Sequence, residues 1–352
     1  MTFSDTAGLY PFCLGGYMLT AVLLFLLGFL LLIKGGDWFV DGATGIAHRF
    51  HLPELLIGAT VVSIGTTLPE VMVSSQAALQ HNSGISYGNA IGSIICNTSL
   101  IAALTLAIKP GPVNRNSLKL PAAAFFIAAI IYSAIAYTTG TFTRWQGIMF
   151  LAYFVGYMIL SVKQMTASGE QPEEEEEEQP QRTLLIECTL LVIGAAAIAF
   201  GANLLVENGT LIAAALGVPD SVIGLTMVAL GTSLPELITA ITSLMKGHGA
   251  LSLGNVIGAN LFNIILVSGM AITISPFAIP AEKTLMGMNS SLLVDIPVML
   301  GVMMLLCFPP LKTGKLQMAG DHSAVHLLRI HGISVPDLSS NTMRCSGIFF
   351  VS

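Results

Sequence analysis

Apolar residues run in continuous stretches of about 20 along most of the chain, separated by short polar breaks. Stretches of that length cross a ~30 Å hydrocarbon layer as helices, whereas a membrane barrel would need alternating strands of ~10 residues. The pattern predicts nine spans, over residues 18–46, 53–80, 87–108, 120–138 and 145–163, then 183–206, 219–245, 253–273 and 289–308. Between the fifth and sixth, Thr166–Gln181 is acidic, of low complexity and flanked by proline, so it buries no apolar surface and reads as a disordered linker. The expected organisation is a first repeat over 17–164, a cytoplasmic linker over 165–182, a second repeat over 183–308 and an atypical tail over 309–352.

The repeat is visible in the polar residues that interrupt the apolar pattern. GTTLPE at Gly65–Glu70 returns as GTSLPE at Gly231–Glu236, 166 residues later. Each is followed by a second phrase, GNAIGSIICN at Gly88–Asn97 and GNVIGANLFN at Gly254–Asn263. From Pro53 to Asn97 the copies align without a gap, with 16 of 45 positions identical. Five spans per repeat is an odd number, so the second copy enters the membrane upside down, as in the inverted repeats of secondary transporters. Lysines and arginines collect on one side if the N-terminus faces outward: Arg49, Lys109, Arg115, Lys119, Lys163, Arg182, Lys246, Lys312 and Lys315 inside, against Arg144 and Lys283 outside. The expected location is a bacterial inner membrane with the N-terminus outside.

Composition agrees. Hydrophobic residues are 54% of the chain and charged residues 10%, where a soluble domain carries about 25% charge. Seven of the acidic residues sit in the linker, so the net charge of −6 says little about the rest. No basic patch points to nucleic acid, and the five cysteines lack metal-ligand spacing. The seven histidines fall in predicted loops or the tail and suggest no metal centre. Nothing in the pattern sets an oligomeric state.

Carboxylate, hydroxyl, amide and proline inside spans are costly and mark an ion or substrate pathway. Pro69 and Pro235 each remove a backbone donor, which predicts a broken helix and frees the carbonyls of Gly65 and Gly231. Those carbonyls, with Thr66, Thr67 and Glu70 and with Thr232, Ser233 and Glu236, make a set of hard oxygens suited to Ca²⁺ and Na⁺. Two carboxylates balance one divalent ion, and the same oxygens can instead hold monovalent ions or a proton. The glycines at 88, 92, 254 and 258 thin their helices for close packing. Intramembrane hydrolysis would need a base beside a serine at depth, and no His or Lys is so placed, so no enzyme activity and no cofactor are expected. Discontinuous inverted halves favour a transporter over a channel. Asp37, Asp41 and Glu207 read as helix-end carboxylates, and Glu54 and Asp220 as charges at helix starts.

The paired GT[ST]LPE and GN-xx-G[SA]-xxx-N phrases resemble the sodium/calcium exchanger family of the calcium:cation antiporter superfamily, particularly its bacterial members, over about residues 18–308. The resemblance implies an all-α polytopic membrane protein of two inverted five-helix repeats, with the first and sixth helices sliding across the site. It implies Ca²⁺ exchanged for Na⁺, with H⁺ coupling at the same glutamates as the alternative. By position, its ligands fall on Thr66, Thr67, Glu70, Ser93 and Asn97, and on Thr232, Ser233, Glu236 and Asn263, with backbone oxygens at Ser63 and Ala229. Three departures stand out. Ala259 replaces the partner of Ser93, Ile94 faces Asn260, and Asn263 stands where potassium-dependent members carry aspartate. A tenth helix is also expected, but Pro310–Arg329 is too charged to span, so this helix is missing or the reading frame changes near Gln317.

Overall fold

The structure, a computed structural model, describes residues 10–108, 111–168, 182–217, 229–280, 284–285, 288–313 and 315–316. Apolar segments with no water to satisfy their peptide groups must close their hydrogen bonds internally, and helices dominate the fold accordingly. They are α1 (Tyr10–Arg49), α2 (Glu54–Leu79), α3 (Ser83–Thr105), α4 (Arg115–Thr139), α5 (Arg144–Ser168), α6 (Leu184–Ala215), α7 (Ala229–Met245), α8 (Gly249–Ile274) and α9 (Ser291–Lys312). Eight of these are long and apolar enough to cross a membrane. The remaining expected span, the seventh, corresponds to α7, whose expected first residues, 219–228, with Asp220, lie outside the described residues. So do residues 169–181 of the linker and 317–352 of the tail.

One expectation needs correcting. The helix containing GTTLPE is not broken at Gly65–Pro69: Ser63–Leu79 is α-helical with Pro69 inside it. The irregularity lies one turn earlier, where Gly58–Val62 widens into a π-helical turn and Ser63 Oγ donates to the Gly58 carbonyl at 2.7 Å. Glycine at 58 and a serine hydroxyl five residues on absorb the strain before proline is reached, so the later turns stay regular. Three further wide turns occupy Asn97–Ala102, Asn263–Ser268 and Ser291–Asp295, the first two corresponding between the repeats. Such turns inside α-helices are rare and concentrate at functional positions.

The helix directions confirm the inversion. Chain turns at His81 and Gly247 make α2–α3 and α7–α8 hairpins. Gly254 packs on the backbone of Leu55, and Gly258 on Ala59 and Ser63, so α8 runs alongside α2 in the same direction. It therefore runs opposite to α3, its own counterpart in the first repeat. The α1–α6 pair carries the same symmetry. A methyl group added at Gly28 would lie 2.8 Å from the Gly201 carbonyl, and one at Gly194 would lie 2.8 Å from the Gly35 carbonyl. The repeat offset converts the first contact into the second, and the sequence reading had missed this seam.

Burial grades inward from that pair. Leu19, Leu23, Leu26 and Leu30 of α1 and Leu185, Val192 and Phe200 of α6 are exposed apolar residues, as a lipid-facing surface requires. By contrast α8 is buried without interruption from Leu251 to Ile265. It sits at the centre of α2, α3, α4 and α7, with Tyr157 of α5 donating to the Ala59 carbonyl of α2 at 3.0 Å.

Candidate ion-binding site

The site is assembled by helical spacing and by the inversion together. Hydroxyls three and four residues before each glutamate share its helical face. On α2, Ser63, Thr66, Thr67 and Glu70 are all buried, and on α7 Ser233 and Glu236 are buried while Thr232 is half-buried. Ala229 opens α7 as described. On α3, Ser93 and Asn97 are buried, and on α8 Asn263 is.

Each asparagine opens one of the wide turns, and the turns cross over between repeats. Asn97–Ala102 packs against α7, which carries Glu236, while Asn263–Ser268 packs against α2, which carries Glu70. The two glutamates are near enough to interact as charges. Thr66 Oγ1 donates to Asn255 Oδ1 at 3.1 Å, and the single Ser63 hydroxyl proton is shared between the Gly58 and Asn255 carbonyls at 2.7 and 3.0 Å.

The hydrogen-bond account of this cluster does not close. Both carboxylate oxygens of Glu70 and of Glu236, both amide atoms of Asn97 and of Asn263, and the hydroxyls of Thr67 and Ser233 are buried without a hydrogen-bond partner. No ion pair among the described residues reaches either glutamate; Arg49 pairs with Glu187, and Lys246 with Asp41 and Asp37. A buried polar atom left unpaired costs about 1–3 kcal/mol, and an uncompensated buried charge more. Ten such atoms at corresponding positions of two repeats are not scattered packing faults. Eight of the ten are oxygens, the atom type that hard cations take as ligands.

The asparagines of the GN phrases behave differently from each other. Asn89 turns to its own repeat, donating to the Glu70 carbonyl at 3.2 Å and to Ser74 Oγ at 2.9 Å. Asn255 reaches across to Thr66. Asn260, where the first copy has Ile94, donates to Thr98 Oγ1 at 2.7 Å and to Met303 Sδ, tying α8 to α3 and α9. Sequence reasoning missed Cys96, whose thiol lies beside Ser233, Glu236 and Glu70. Its only signal was its place next to Asn97. Gly65 lies under the Phe39 ring of α1 and Gly231 under Val206 of α6, so the peripheral pair rests on both motif glycines.

The fold is shared with known proteins. The sodium/calcium exchanger protein family matches residues 20–163 and 187–350. The chain belongs to this family. The second matched stretch includes the tail that the apolar pattern reads as unable to span. The exchanger is 40% identical over 240 residues to an uncharacterised membrane protein, MJ0091, of Methanocaldococcus jannaschii, covering 68% of this chain and 77% of that one. It is 32% identical over 320 residues to the sodium/calcium exchanger MaX1 of Methanosarcina acetivorans, covering 81% and 89% of the two chains. Among solved structures, the sodium-calcium exchanger NCX_Mj soaked with 10 mM Na⁺ and zero Ca²⁺ is similar at a TM-score of 0.72 and 34% identity, over 86% of this chain and 94% of that one. The exchanger is thus an antiporter-family membrane protein with the expected all-helical inverted-repeat fold.

Proposed function

We propose that the exchanger carries Ca²⁺ out of the cell in return for Na⁺, by alternating access to one site built from Glu70, Glu236, Thr66, Thr67, Thr232, Ser233, Ser93, Asn97 and Asn263, with the backbone oxygens of Ser63 and Ala229. One observation carries this reading: two mutually adjacent, fully buried carboxylates with no protein counter-charge, surrounded by unpaired hydroxyl and amide oxygens. All of these donors are hard, which suits Ca²⁺ and Na⁺ and gives thiophilic ions no advantage over them. Two carboxylates neutralise one Ca²⁺. Na⁺ ions on the same oxygens exclude it, and competition for shared ligands makes the cycle an exchange.

The proposed unit comprises a first repeat over 17–164, a cytoplasmic linker over 165–182 and a second repeat over 183–308. Arg49, Arg182 and Lys246 gather at one end of the bundle through pairs with Glu187 and Asp41, which supports a cytoplasmic assignment for that end and an N-terminus outside. The expected setting is a prokaryotic plasma membrane. There the potential contributes about 2.3 kcal/mol per net charge per 100 mV when more than two Na⁺ enter for each Ca²⁺.

The test is ⁴⁵Ca²⁺ flux in proteoliposomes under imposed Na⁺, H⁺ or K⁺ gradients. Flux driven by Na⁺ alone is expected. Flux that follows the pH gradient and ignores Na⁺ would reject Na⁺ coupling in favour of proton exchange on the same pair of glutamates.

A further inference from the structure

A second group of metal-ligating side chains lies away from the glutamate pair. His48 is in the last turn of α1, Glu54 is the first residue of α2, and His248 immediately precedes α8. We propose that these three residues bind a borderline transition ion such as Zn²⁺, and that the bound ion clamps the α1–α2 turn to the α7–α8 turn and slows exchange.

The backbone brings the three together without their help. His51 takes a positive φ of 52°, and Leu52 N donates to the Ala47 carbonyl at 2.8 Å, folding His48 back towards Glu54. Across the interface Gly247 takes a φ of 90°, and His248 N donates to the Ser243 carbonyl at 2.8 Å. Each turn closes its own hydrogen bonds, so both halves of the group are set by their own repeat. His248 Nδ1 lies 2.6 Å from Glu54 Oε1, and His48 Nε2 lies 3.9 Å from the same oxygen. The three donor atoms lie within 4.8 Å of one another. Donors about 2.0–2.2 Å from a tetrahedral Zn²⁺ stand roughly 3.3 Å apart, so small side-chain rotations reach the required geometry. Side-chain exposures of 57%, 23% and 15% for His48, Glu54 and His248 leave an entry path and room for water as a fourth ligand.

A simple imidazole–carboxylate hydrogen bond needs only one of the two histidines. Here a second approaches the same oxygen, and the nearby strong cations are committed elsewhere: Lys246 lies 2.6 Å from Asp41, and Arg49 lies 2.8 Å from Glu187. Among the described residues, imidazoles are therefore the only ion-pair partners of Glu54. Two imidazoles and a carboxylate select Zn²⁺ and its neighbours over Ca²⁺ or Na⁺, the reverse of the hard-oxygen set around Glu70 and Glu236.

The position gives the ion a mechanical effect. His48 and Glu54 belong to the first repeat and His248 to the second, at the end where Gly58 meets Leu251 and Gly254 meets Leu55. A ligand bound only while these turns are adjacent favours the state in which that end is sealed.

The test uses the full chain in detergent, titrated with Co²⁺ as a visible-absorption probe and then with Zn²⁺ in competition. Wild type and the triple variant His322→Ala, His326→Ala, His331→Ala should each bind one Co²⁺ that Zn²⁺ displaces. His48→Ala, His248→Ala and Glu54→Gln should each weaken binding at least tenfold. Because His48 is exposed at a helix end, His48→Ala should keep its Zn²⁺-free exchange rate, which guards against misfolding. Unchanged binding in both His48→Ala and His248→Ala, or loss of binding only in the tail variant, would overturn the site. In proteoliposomes Zn²⁺ should slow wild-type exchange severalfold and spare His48→Ala. Equal inhibition of both, or none of either, would overturn the clamp. The absorption experiment reads no transport, so its outcome is separable from the proposal that the glutamate pair carries Ca²⁺.

Discussion

The two copies of the GN phrase occupy different surroundings. In α8, Gly254 and Gly258 are buried and press on the backbone of α2, and Asn255 accepts the Thr66 hydroxyl of the other repeat. In α3, no described residue lies within 4 Å of a methyl group built on Gly88 or Gly92, and residues 221 and 225, which the repeat offset sets opposite them, lie outside the described residues; Asn89 bonds within its own repeat. Aligned residues thus take different partners among the described ones: the Asn255 side chain accepts across the repeats, whereas the Asn89 amide donates within its own. The wide turns at Asn97 and Asn263 correspond between the repeats.

This comparison can be broken most severely at the glutamates. Glu70→Gln and Glu236→Gln should each cut ⁴⁵Ca²⁺ exchange by roughly 100-fold or more, since losing one partner of a buried charge pairing costs about 3–5 kcal/mol. Near-normal flux in either variant would mean that the copies do not share the load. Next comes glycine packing. Gly254→Ala forces a methyl group onto the Leu55 carbonyl and should lower stability by about 1–3 kcal/mol, read as a fall in the melting temperature in detergent. An unchanged melting temperature would mean that α8 does not press on α2 at this glycine. A smaller effect is expected from Asn255→Ala, which strands the buried Thr66 hydroxyl at about 1–3 kcal/mol and should weaken Ca²⁺ binding more than Asn89→Ala does. Isothermal titration of both variants measures that difference. The smallest change should follow Ala259→Ser, which returns the hydroxyl missing opposite Ser93. A two- to tenfold shift in Ca²⁺ affinity is the rough expectation for one added oxygen, and an unaltered affinity would place residue 259 outside the ligand set.

The spans, their inversion and the positions of Glu70 and Glu236 were legible because each rests on a local pattern: run length, an odd number of crossings, polar residues at depth. What the chain concealed depends on contacts between distant segments. Pro69 invited a break at Gly65, but Gly58 and Ser63 took up the irregularity in the turn before. Asn89 and Asn255 align perfectly and yet hold different partners among the described residues, Glu70 and Ser74 for the first and Thr66 for the second. Cys96 entered the site through the crossing of its turn onto α7, a relation no spacing announces. The histidines looked unrelated because 48 and 248 meet only after the repeats interlock.

Helix length adds one consequence. With 40 residues in α1 and 32 in α6, these rods measure roughly 60 Å and 48 Å, well beyond the ~30 Å of hydrocarbon around them. Lying back to back through glycine with oily outer flanks, they lean, thicken the lipid beside them or project past it, as the charges from Lys34 to Arg49 allow α1 to do. Bilayers of different acyl-chain length should therefore change the speed of turnover while leaving the grip of the interior on its cargo untouched.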